Sequence, residues 1–207
     1  MLTVSDISLV FSDRKLFDDV NIKFTPGNCY GLIGANGAGK STFLRILAGD
    51  IEPSTGHIAM GTDERLSVLR QNHFDYEDQT PLDVVMSGNE VLAKIAQEKD
   101  AIYMNPDSTD DDFMRAAELE AHFGELGGYE ADSEAASLLQ NLGITVEQQT
   151  NVMANLTAGE HVKVLLAKAL FGKPDVLLLD EPTNGLDIQA INWLEEFLIN
   201  FENTVIV

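Results

Sequence analysis

The stretch that decides the fold is Gly34-Ala35-Asn36-Gly37-Ala38-Gly39-Lys40-Ser41-Thr42. It follows an apolar run at residues 29–33 and precedes a helix-like pattern at residues 43–48, which is the spacing of a phosphate-binding loop. Its glycines let backbone N–H groups approach phosphate closely, and the next helix directs its positive end there. We predict a nucleoside triphosphate site in which Lys40 reaches the β- and γ-phosphates and the Ser41 hydroxyl binds Mg²⁺. Thr42 is expected to support the start of the helix.

A second apolar run, Val176 to Leu179, ends in the two carboxylates Asp180 and Glu181. A short run of this kind is typical of a buried parallel strand. Asp180 is expected to hold Mg²⁺ through water, and Glu181 to orient or polarise the attacking water, because phosphoryl transfer asks a protein mainly for positioning and charge stabilisation. Acidic residues after a strand also occur in ordinary solvated turns. The phosphate-binding loop in the same chain favours the catalytic interpretation.

The charge balance of the chain is strongly acidic. It has 34 acidic and 13 basic residues among 207, for a formal net charge of −21 at pH 7. Such a surface repels phosphate backbones, so we expect any contact with nucleic acid to be local. The charge also has a simpler interpretation, which is that it keeps the protein soluble. The four histidines are scattered and lack neighbouring cysteines, so we expect no transition-metal site.

The cysteine content and the absence of long apolar runs predict a compartment. Cys29 is the single cysteine, cannot form an internal disulfide and is expected to be a small buried core residue. No basic leader segment opens the chain, and nowhere do 18 consecutive apolar residues occur. We therefore expect a cytoplasmic protein without direct membrane insertion.

The order of apolar patterns predicts an α/β fold with an inserted lobe. Alternation at residues 2–11 and 20–24 predicts an antiparallel strand pair, and short strands are expected near 57–60 and 66–70. Helical patterns then dominate, at residues 89–103, 111–126, 130–142 and 158–171. A helix at 188–201 and a strand at 204–207 complete a second strand–helix unit of a mostly parallel sheet. The 44% hydrophobic content fits one globular domain.

The acidic run Asp110 to Asp112 has two possible interpretations. After Ser108 and Thr109 it reads as a helix N-cap with carboxylates in the first turn. A calcium loop counted from Asp107 is the alternative, but Asp112 then stands where the sixth-position glycine belongs. We favour the cap.

Three further motifs complete a recognisable set. Gln71 lies between the two phosphate-site motifs, as does Leu156-Thr157-Ala158-Gly159-Glu160, and Thr183-Asn184-Gly185-Leu186-Asp187 follows them. Together these resemble the ATP-binding cassette (ABC) ATPases over essentially the whole chain. The resemblance implies a P-loop NTPase of the ABC nucleotide-binding type, with a RecA-like mostly parallel sheet core, an antiparallel β-subdomain and an inserted helical lobe. It implies one domain, 1–207, in which 1–71 and 172–207 form the core and β-subdomain. Residues 72–171 would form the lobe, with an arm-like insertion and the signature helix.

The resemblance also implies roles for single residues. Gln71 would be a catalytic partner of Glu181 that senses Mg²⁺ and the helical lobe, and Phe11 would stack on adenine. The signature residues Thr157, Ala158, Gly159 and Glu160 would act on the ATP of a partner cassette, and Asp187 would end the D-loop. Ala158 replaces the first signature glycine and adds a Cβ where the family brings backbone close to phosphate. An ordinary helix start capped by Thr157 and an ordinary buried strand position for Phe11 are the alternatives.

The long interval between Gln71 and Leu156, together with Gly127-Gly128-Tyr129-Glu130-Ala131, resembles the ABC-F class. This implies a soluble protein with two cassettes in one chain that hydrolyses ATP to close and open a clamp on the ribosome. The second cassette and the ribosome are therefore the expected partners. A switch histidine is implied shortly after Val207, so we expect the 207 residues alone to bind ATP with little or no turnover. The implied arm, residues 84–103, would contact RNA, although its only basic residues are Lys94 and Lys99, and a helix packed on the sheet is the alternative.

Two other classes of cassette protein remain as alternatives. One is the ATP-hydrolysing subunit of an ABC membrane transporter, which would require a separate transmembrane subunit. The other is an ATP-gated dimerisation module of a DNA-maintenance ATPase. Co-purification with ribosomal subunits, with a membrane protein or with DNA would separate the three.

Overall fold

A computed structural model describes residues 1–11, 14–69 and 76–207, with the Phe11 and Arg14 side chains left out of the description. The chain forms two compact units, Met1–Asn72 with Lys173–Val207, and His73–Gly172. The first unit holds both sheets, and the second is helical. In chain order the elements are β1 (Leu2–Phe11), β2 (Arg14–Phe24), β3 (Cys29–Tyr30), α1 (Lys40–Leu47), β4 (Thr55–Ala59), β5 (Leu66–Leu69), α2 (Pro81–Met86), α3 (Glu90–Met104), α4 (Asp110–Glu125), α5 (Ala131–Asn141), α6 (Val146–Gln149), α7 (Ala158–Leu170), β6 (Val176–Leu179), α8 (Ile188–Ile199) and β7 (Thr204–Ile206).

The first sheet is antiparallel, with strand order β2-β1-β4. β1 pairs with β2 from Leu2 opposite Phe24 to Phe11 opposite Arg14, which confirms the predicted strand pair. Register shifts interrupt β1, and at one of them Gly56 of β4 passes close by. A Cβ at Gly56 would lie 2.4 Å from the Ser5 carbonyl oxygen, and its φ is +85°, so only glycine fits there.

The second sheet is fully parallel, with strand order β3-β7-β6-β5. β6 lies inside this sheet, and each of its four residues is 0% exposed. A run of four apolar residues is what a strand covered on both faces requires. The predicted mostly parallel core with an antiparallel subdomain is therefore confirmed.

One apolar core joins the two sheets to α1. Phe43, Leu44, Ile46 and Leu47 of α1 cluster with buried residues of β1, β6 and β7. These positions repeat at helical spacing, so one face of α1 is removed from water, and this burial holds the helix against the sheets.

The strand before the phosphate-binding loop is shorter than predicted. β3 has two residues, Cys29 is exposed, and Ile33 is 98% exposed. The prediction of a buried Cys29 is therefore wrong. β3 lies at the end of the described strand order with β7 as its neighbour, and the chain leaves the sheet soon after Tyr30. One more ladder bond, from the Leu32 N–H to the Val207 carbonyl at 2.7 Å, extends the pairing.

In the helical unit, α2 packs on α7 and α5, and α3 packs on α4. Gly88, just after α2, lies so close to α7 that a Cβ there would be 2.2 Å from the Lys168 carbonyl oxygen. The predicted helices at 89–103, 111–126, 130–142 and 158–171 agree with α3, α4, α5 and α7 to within a residue or so at each end. α2 and α6 were not predicted. None of the helices in the described part of the chain combines the length and apolar character needed to cross a membrane.

The start of α4 carries the predicted cap. Thr109 and Asp112 form a reciprocal capping box, in which the Thr109 N–H donates to the Asp112 carboxylate at 2.7 Å. This bond lowers the pKa of Asp112 below its ordinary value, as does the bond from the Thr109 hydroxyl. Within residues 1–11, 14–69 and 76–207, no group of three or more side chains is arranged to hold a metal ion. The capping interpretation is confirmed, and the calcium loop finds no support.

Candidate functional site

The candidate site lies at the carboxyl edge of the parallel sheet. β3 leads into the 34–42 loop, and β6 leads into Asp180 and Glu181. The two strands are parallel and separated only by β7, so both segments leave the sheet at the same edge, from strands about 10 Å apart. This edge is where ligands bind in open α/β sheets.

The N-terminus of α1 lacks the features that usually close a helix start. Its N-cap is Gly39, with a φ of +100°, and it has neither a side-chain cap nor an acidic residue in the first turn. The helical ladder starts at the bond from the Phe43 N–H to the Gly39 carbonyl, 2.8 Å long. Helix geometry therefore leaves the N–H groups of Lys40, Ser41 and Thr42 without an intrahelical acceptor. These donors and the helix dipole favour an anion.

Lys40 holds the loop together from within. Its Nζ donates to the Gly34 carbonyl at 2.8 Å and to the Ala35 carbonyl at 3.3 Å. The Ala38 N–H donates to the Ala35 carbonyl at 3.1 Å, which closes a turn inside the loop, and Gly37 has a φ of +79°. The ammonium group thus lies beside the loop that the sequence assigns to phosphate.

Phe17 of β2 supports the loop, and sequence reasoning missed it. Its ring lies where a Cβ at Gly39 would approach to 3.0 Å, and it packs edge-on against Phe43 with ring centroids 5.7 Å apart. Gly39 is therefore required both by its positive φ and by this ring. The sequence signal was weak, because Phe17 is one apolar residue within a strand.

Asp180 and Glu181 follow the buried strand directly. Asp180 is half-buried, whereas Glu181 is exposed and has a φ of +48°. A positive φ is uncommon in a residue other than glycine, and it turns the chain sharply at the sheet edge. The Asn184 N–H donates to the Glu181 carbonyl at 3.0 Å and fixes this turn.

The donor set suits Mg²⁺ bound together with a triphosphate. Mg²⁺ takes oxygen ligands, keeps several waters and commonly uses one or two carboxylates plus phosphate oxygens. The Ser41 hydroxyl and the Asp180 carboxylate belong to segments at the same sheet edge and supply donors of this kind.

The predicted signature residues lie in the helical unit, at the start of α7. Thr157 is the N-cap, and Ala158, Gly159 and Glu160 form the first turn. Thr157 and Glu160 make a capping box, in which the Thr157 N–H donates to the Glu160 carboxylate at 2.8 Å. That backbone bond is the main cause of a lowered pKa at Glu160, with a further contribution from the Thr157 hydroxyl.

A second capping box is joined to the first. At the start of α6, the Gln148 side-chain oxygen accepts the Thr145 N–H at 2.9 Å. The amide nitrogen of Gln148 donates to the other carboxylate oxygen of Glu160. The starts of α6 and α7 are therefore connected through one amide and one carboxylate.

The remaining predicted residues differ in what the structure describes. Asp187 caps α8 by accepting the Ala190 N–H at 2.9 Å. Phe11 ends β1, but the structure does not describe its side chain. Gln71 lies outside the described residues altogether. Their chemical roles stay predictions.

Comparison with known proteins gives a consistent result. A sequence profile of the family described as "ABC transporter" matches residues 17–184. The chain is 68% identical over 207 residues to the uncharacterized ABC transporter ATP-binding protein YkpA of Bacillus subtilis (strain 168), and covers 100% of itself and 38% of that protein. Its fold is similar to a solved chain titled "Structure of ATP binding subunit of ABC transporter", with a TM-score of 0.71 at 20% identity, covering 100% of this chain and 78% of the other.

Two more distant relatives have more specific names. One is ABC transporter F family member 4 of Arabidopsis thaliana, 33% identical over 216 residues, covering 100% of this chain and 29% of that protein. The other is the energy-dependent translational throttle protein EttA of Mycobacterium tuberculosis (strain ATCC 25618 / H37Rv), 32% identical over 206 residues, covering 99% of this chain and 37% of that protein. The chain thus spans well under half the length of these relatives.

Proposed function

The chain belongs to the ABC transporter family, as an ATPase domain whose relatives are of the ABC-F type, and from this premise we propose that it binds Mg-ATP and works with a second cassette as a clamp. ABC ATPases bind ATP, and the 34–42 loop would receive its phosphates. The observation that carries the proposal is the uncapped start of α1, where free N–H groups and Lys40 lie together.

Each residue of the loop and the sheet edge has a proposed task. The loop backbone and Lys40 bind the β- and γ-phosphates, Ser41 and Asp180 hold Mg²⁺, and Phe11 stacks on adenine. Bound Mg²⁺ would neutralise phosphate charge. Glu181 orients the water that attacks the γ-phosphorus, with ADP as the leaving group and inorganic phosphate as the second product. Gln71 couples this site to the helical unit.

A second cassette completes the site under this proposal. Thr157 to Glu160 would face the triphosphate held by the partner cassette, with Asp187 in the D-loop beside it. Support comes from the fact that the chain spans 38% of the length of YkpA, which leaves room for another cassette in such proteins. Two cassettes would close over ATP, and hydrolysis would reopen them.

The proposed working place of the clamp is the ribosome, in the cytoplasm. The supporting observation is the name of a relative, the energy-dependent translational throttle protein EttA, at 32% identity. The structures titled as transporter subunits are similar in fold only, so they do not favour a transmembrane partner.

ATP binding is tested in the 207-residue chain with Lys40→Ala. We expect about a 100-fold loss of affinity for Mg-ATP, because a phosphate-binding charge is removed. The matched control is Lys94→Ala, which removes a lysine that pairs with Glu90 on the surface of α3. Isothermal titration measures both variants, and wild-type affinity in Lys40→Ala would overturn the assignment of the loop.

The ribosomal role is tested in the full-length parent protein carrying Glu181→Gln and the equivalent change in its second cassette. Slower hydrolysis should trap the closed clamp, so we expect it to pellet with ribosomes in Mg-ATP and to stay in the supernatant without nucleotide. Mg-ATP binding without pelleting would refute the ribosomal role and leave the ATP site intact.

A further inference from the structure

A pocket of about 400 Å³ lies where α8 ends, within the unit that holds both sheets, and we call it the α8 pocket. Lys173 and the residues Phe201 to Asn203 belong to its lining, and β6 and β7 begin shortly after them. The pocket is therefore at the amino edge of the parallel sheet, whereas the 34–42 loop and Asp180 are at the carboxyl edge. Its volume is within the range of small-molecule sites, about 300–1,000 Å³.

Three aromatic side chains of the pocket form a ladder. Trp193, Phe197 and Phe201 follow one another at intervals of four residues, which places them on one face of α8 and its continuation. The ring centroids of Trp193 and Phe197 are 5.2 Å apart and those of Phe197 and Phe201 are 5.7 Å apart, with ring planes inclined by 35° and 34°. All three side chains are half-buried. Such rings bind a flat aromatic ligand by offset stacking or edge-to-face contact.

Hydrogen bonds order the backbone beside the ladder. The Asn203 side-chain nitrogen donates to the Pro174 carbonyl at 3.1 Å, and the Thr204 N–H donates to the Asp175 carbonyl at 3.1 Å. These bonds join the segments in which β6 and β7 begin. Polar groups carried by an ordered backbone reduce the entropy that a ligand has to overcome.

The polar side chains of the α8 pocket consist mainly of hydrogen-bond acceptors. Glu196 and Glu202 are exposed carboxylates in its lining. The side-chain nitrogens of Asn200 and Asn203 donate to main-chain carbonyls at 2.9 Å and 3.1 Å, so these residues offer a ligand mainly their oxygens. Lys173 supplies the ammonium group of the lining. A ligand with several N–H donors fits this set of groups best.

The charge of the α8 pocket selects a cation. Its two carboxylates outweigh one ammonium group, and the whole chain has a formal charge of −21. Nucleotides and aromatic acids would be repelled, although the ladder suits their rings. A flat organic cation is attracted to such a surface and makes charge-assisted hydrogen bonds with carboxylates.

We propose that the α8 pocket binds a small planar aromatic cation with several N–H groups, of the arylamidine or protonated arylamine class. The ligand ring packs on the ladder of Trp193, Phe197 and Phe201, and its N–H groups donate to Glu196 and Glu202. The proposal is independent of nucleotide binding and of the ribosomal role.

The test uses the emission of Trp193, the only tryptophan of the 207-residue chain. The probe ligands are benzamidine, benzamide and benzoate, which have nearly the same shape and are a cation, a neutral molecule and an anion at neutral pH. We expect a saturable change with benzamidine and a Kd of about 1 mM, in keeping with its small size. Benzamide should bind about tenfold more weakly, and benzoate should not bind. Free N-acetyltryptophanamide, titrated in parallel, measures collisional quenching.

Four results would overturn the proposal. They are an emission that benzamidine does not change, a change equal to that of free N-acetyltryptophanamide, equal binding of benzamide, and stronger binding of benzoate. Equal binding of benzamide would indicate a purely apolar site, and stronger binding of benzoate would indicate an anion site at Lys173.

Variants of the charged groups test the sign of the selected charge. Glu196→Gln with Glu202→Gln should weaken benzamidine binding about tenfold and leave benzamide binding unchanged. Lys173→Asn should strengthen benzamidine binding several-fold, because it removes a like charge. Asparagine suits this position, where φ is +48°. If Lys173→Asn instead weakened benzamidine binding, the assignment to cations would be wrong.

The matched control is Glu195→Gln, which neutralises an exposed carboxylate of α8 outside the pocket lining. It should bind benzamidine like the wild-type chain. If the control lost as much affinity as Glu196→Gln with Glu202→Gln, benzamidine would be attracted by the acidic surface in general, and the assignment to the α8 pocket would be overturned. Thermal unfolding verifies that all the variants remain folded.

Discussion

The starts of α1 and α7 show two ways of satisfying the free N–H groups of a helix. At α7, Thr157 and Glu160 cap each other and the Glu160 carboxylate is held further by Gln148. At α1, glycine occupies the cap position and the first turn has no acidic residue. A helix start that carries its own carboxylate already holds a negative charge at the positive end of its dipole, whereas one that lacks it leaves that end to an anion from outside.

The comparison has a consequence for the proposed clamp. Under that proposal both helix starts contact a triphosphate, α1 in its own chain and α7 in the partner. A phosphate that approaches α7 meets the Glu160 carboxylate already in place, so direct contact with N–H groups is less favourable there. We therefore assign most of the phosphate affinity to α1.

The largest expected effect comes from giving α1 the carboxylate that it lacks. Ser41→Asp places a negative charge in its first turn, and we expect affinity for Mg-ATP to fall about 100-fold through repulsion of phosphate. The same charge should raise the free energy of unfolding by about 0.3–1 kcal/mol through the helix dipole. Isothermal titration and urea unfolding measure the two quantities.

The control for this prediction is Ser41→Ala, which removes the hydroxyl without adding charge. It should lose less affinity than Ser41→Asp and gain no stability. If Ser41→Asp bound Mg-ATP like the wild-type chain, phosphate would not bind at the start of α1. The absence of an acidic residue in its first turn, which distinguishes α1 from α7, would then have no role in ATP binding.

The next effect is expected from breaking the link between α6 and α7. Gln148→Glu sets a second carboxylate against Glu160, and we expect the free energy of unfolding at pH 7 to fall by about 1–2 kcal/mol. Repulsion raises the pKa of both carboxyl groups, so the difference from the wild-type chain should shrink as the pH falls through about 4.3 and they become protonated. Urea unfolding at pH 7 and pH 4 measures this. A difference that does not depend on pH would contradict the link.

A smaller effect is expected from removing the α7 cap itself. Thr157→Val keeps the side-chain shape but not the hydroxyl, and the loss of a threonine N-cap costs about 1 kcal/mol of unfolding free energy. Affinity of the 207-residue chain for Mg-ATP should stay unchanged, because α1 binds the phosphates. Thr157→Ser is the matched control and should retain the cap. A fall in ATP affinity without a fall in stability would reverse the roles given to the two helices.

The smallest effect is the acid dependence of the caps. The bonds from Thr157 and Thr109 lower the pKa values of Glu160 and Asp112 below their ordinary values. Each cap therefore stabilises fully above the unfolded pKa, about 4.3 for Glu and 3.9 for Asp, and the contribution is lost as pH falls through the folded pKa. Urea midpoints measured between pH 6 and pH 3 should fall. Glu160→Gln can keep the capping box but does not titrate, so the urea midpoint of this variant should fall less between pH 6 and pH 3 than that of the wild-type chain.

Much of the fold follows from local patterns. The four apolar residues of β6 predicted a strand covered on both faces, and each is 0% exposed. The spacing of the 34–42 loop predicted a helix directly after it, at residues 43–48, and α1 begins slightly earlier, within the loop at Lys40. These features are readable because neighbours in sequence determine them.

The features that sequence reasoning missed depend on contacts between distant segments. Cys29 was predicted to be buried, but it is exposed in β3, which lies at one end of the described strand order, next to β7 some 170 residues later in the chain. The bond from Gln148 to Glu160 joins two helix starts that were recognisable only one at a time. Phe17 supports Gly39 through packing that no local pattern records.

Gly88 illustrates how packing alone can restrict a sequence. Its neighbour is the Lys168 carbonyl of α7, and even a methyl group there would have to displace helix backbone. A saturation-mutagenesis survey should therefore find position 88 almost intolerant of change, although it lies in the helical unit rather than in the 34–42 loop. An invariant glycine at position 88 would therefore reflect the close approach of two helices. A comparison of sequences made without the structure would wrongly assign this glycine a catalytic or binding role.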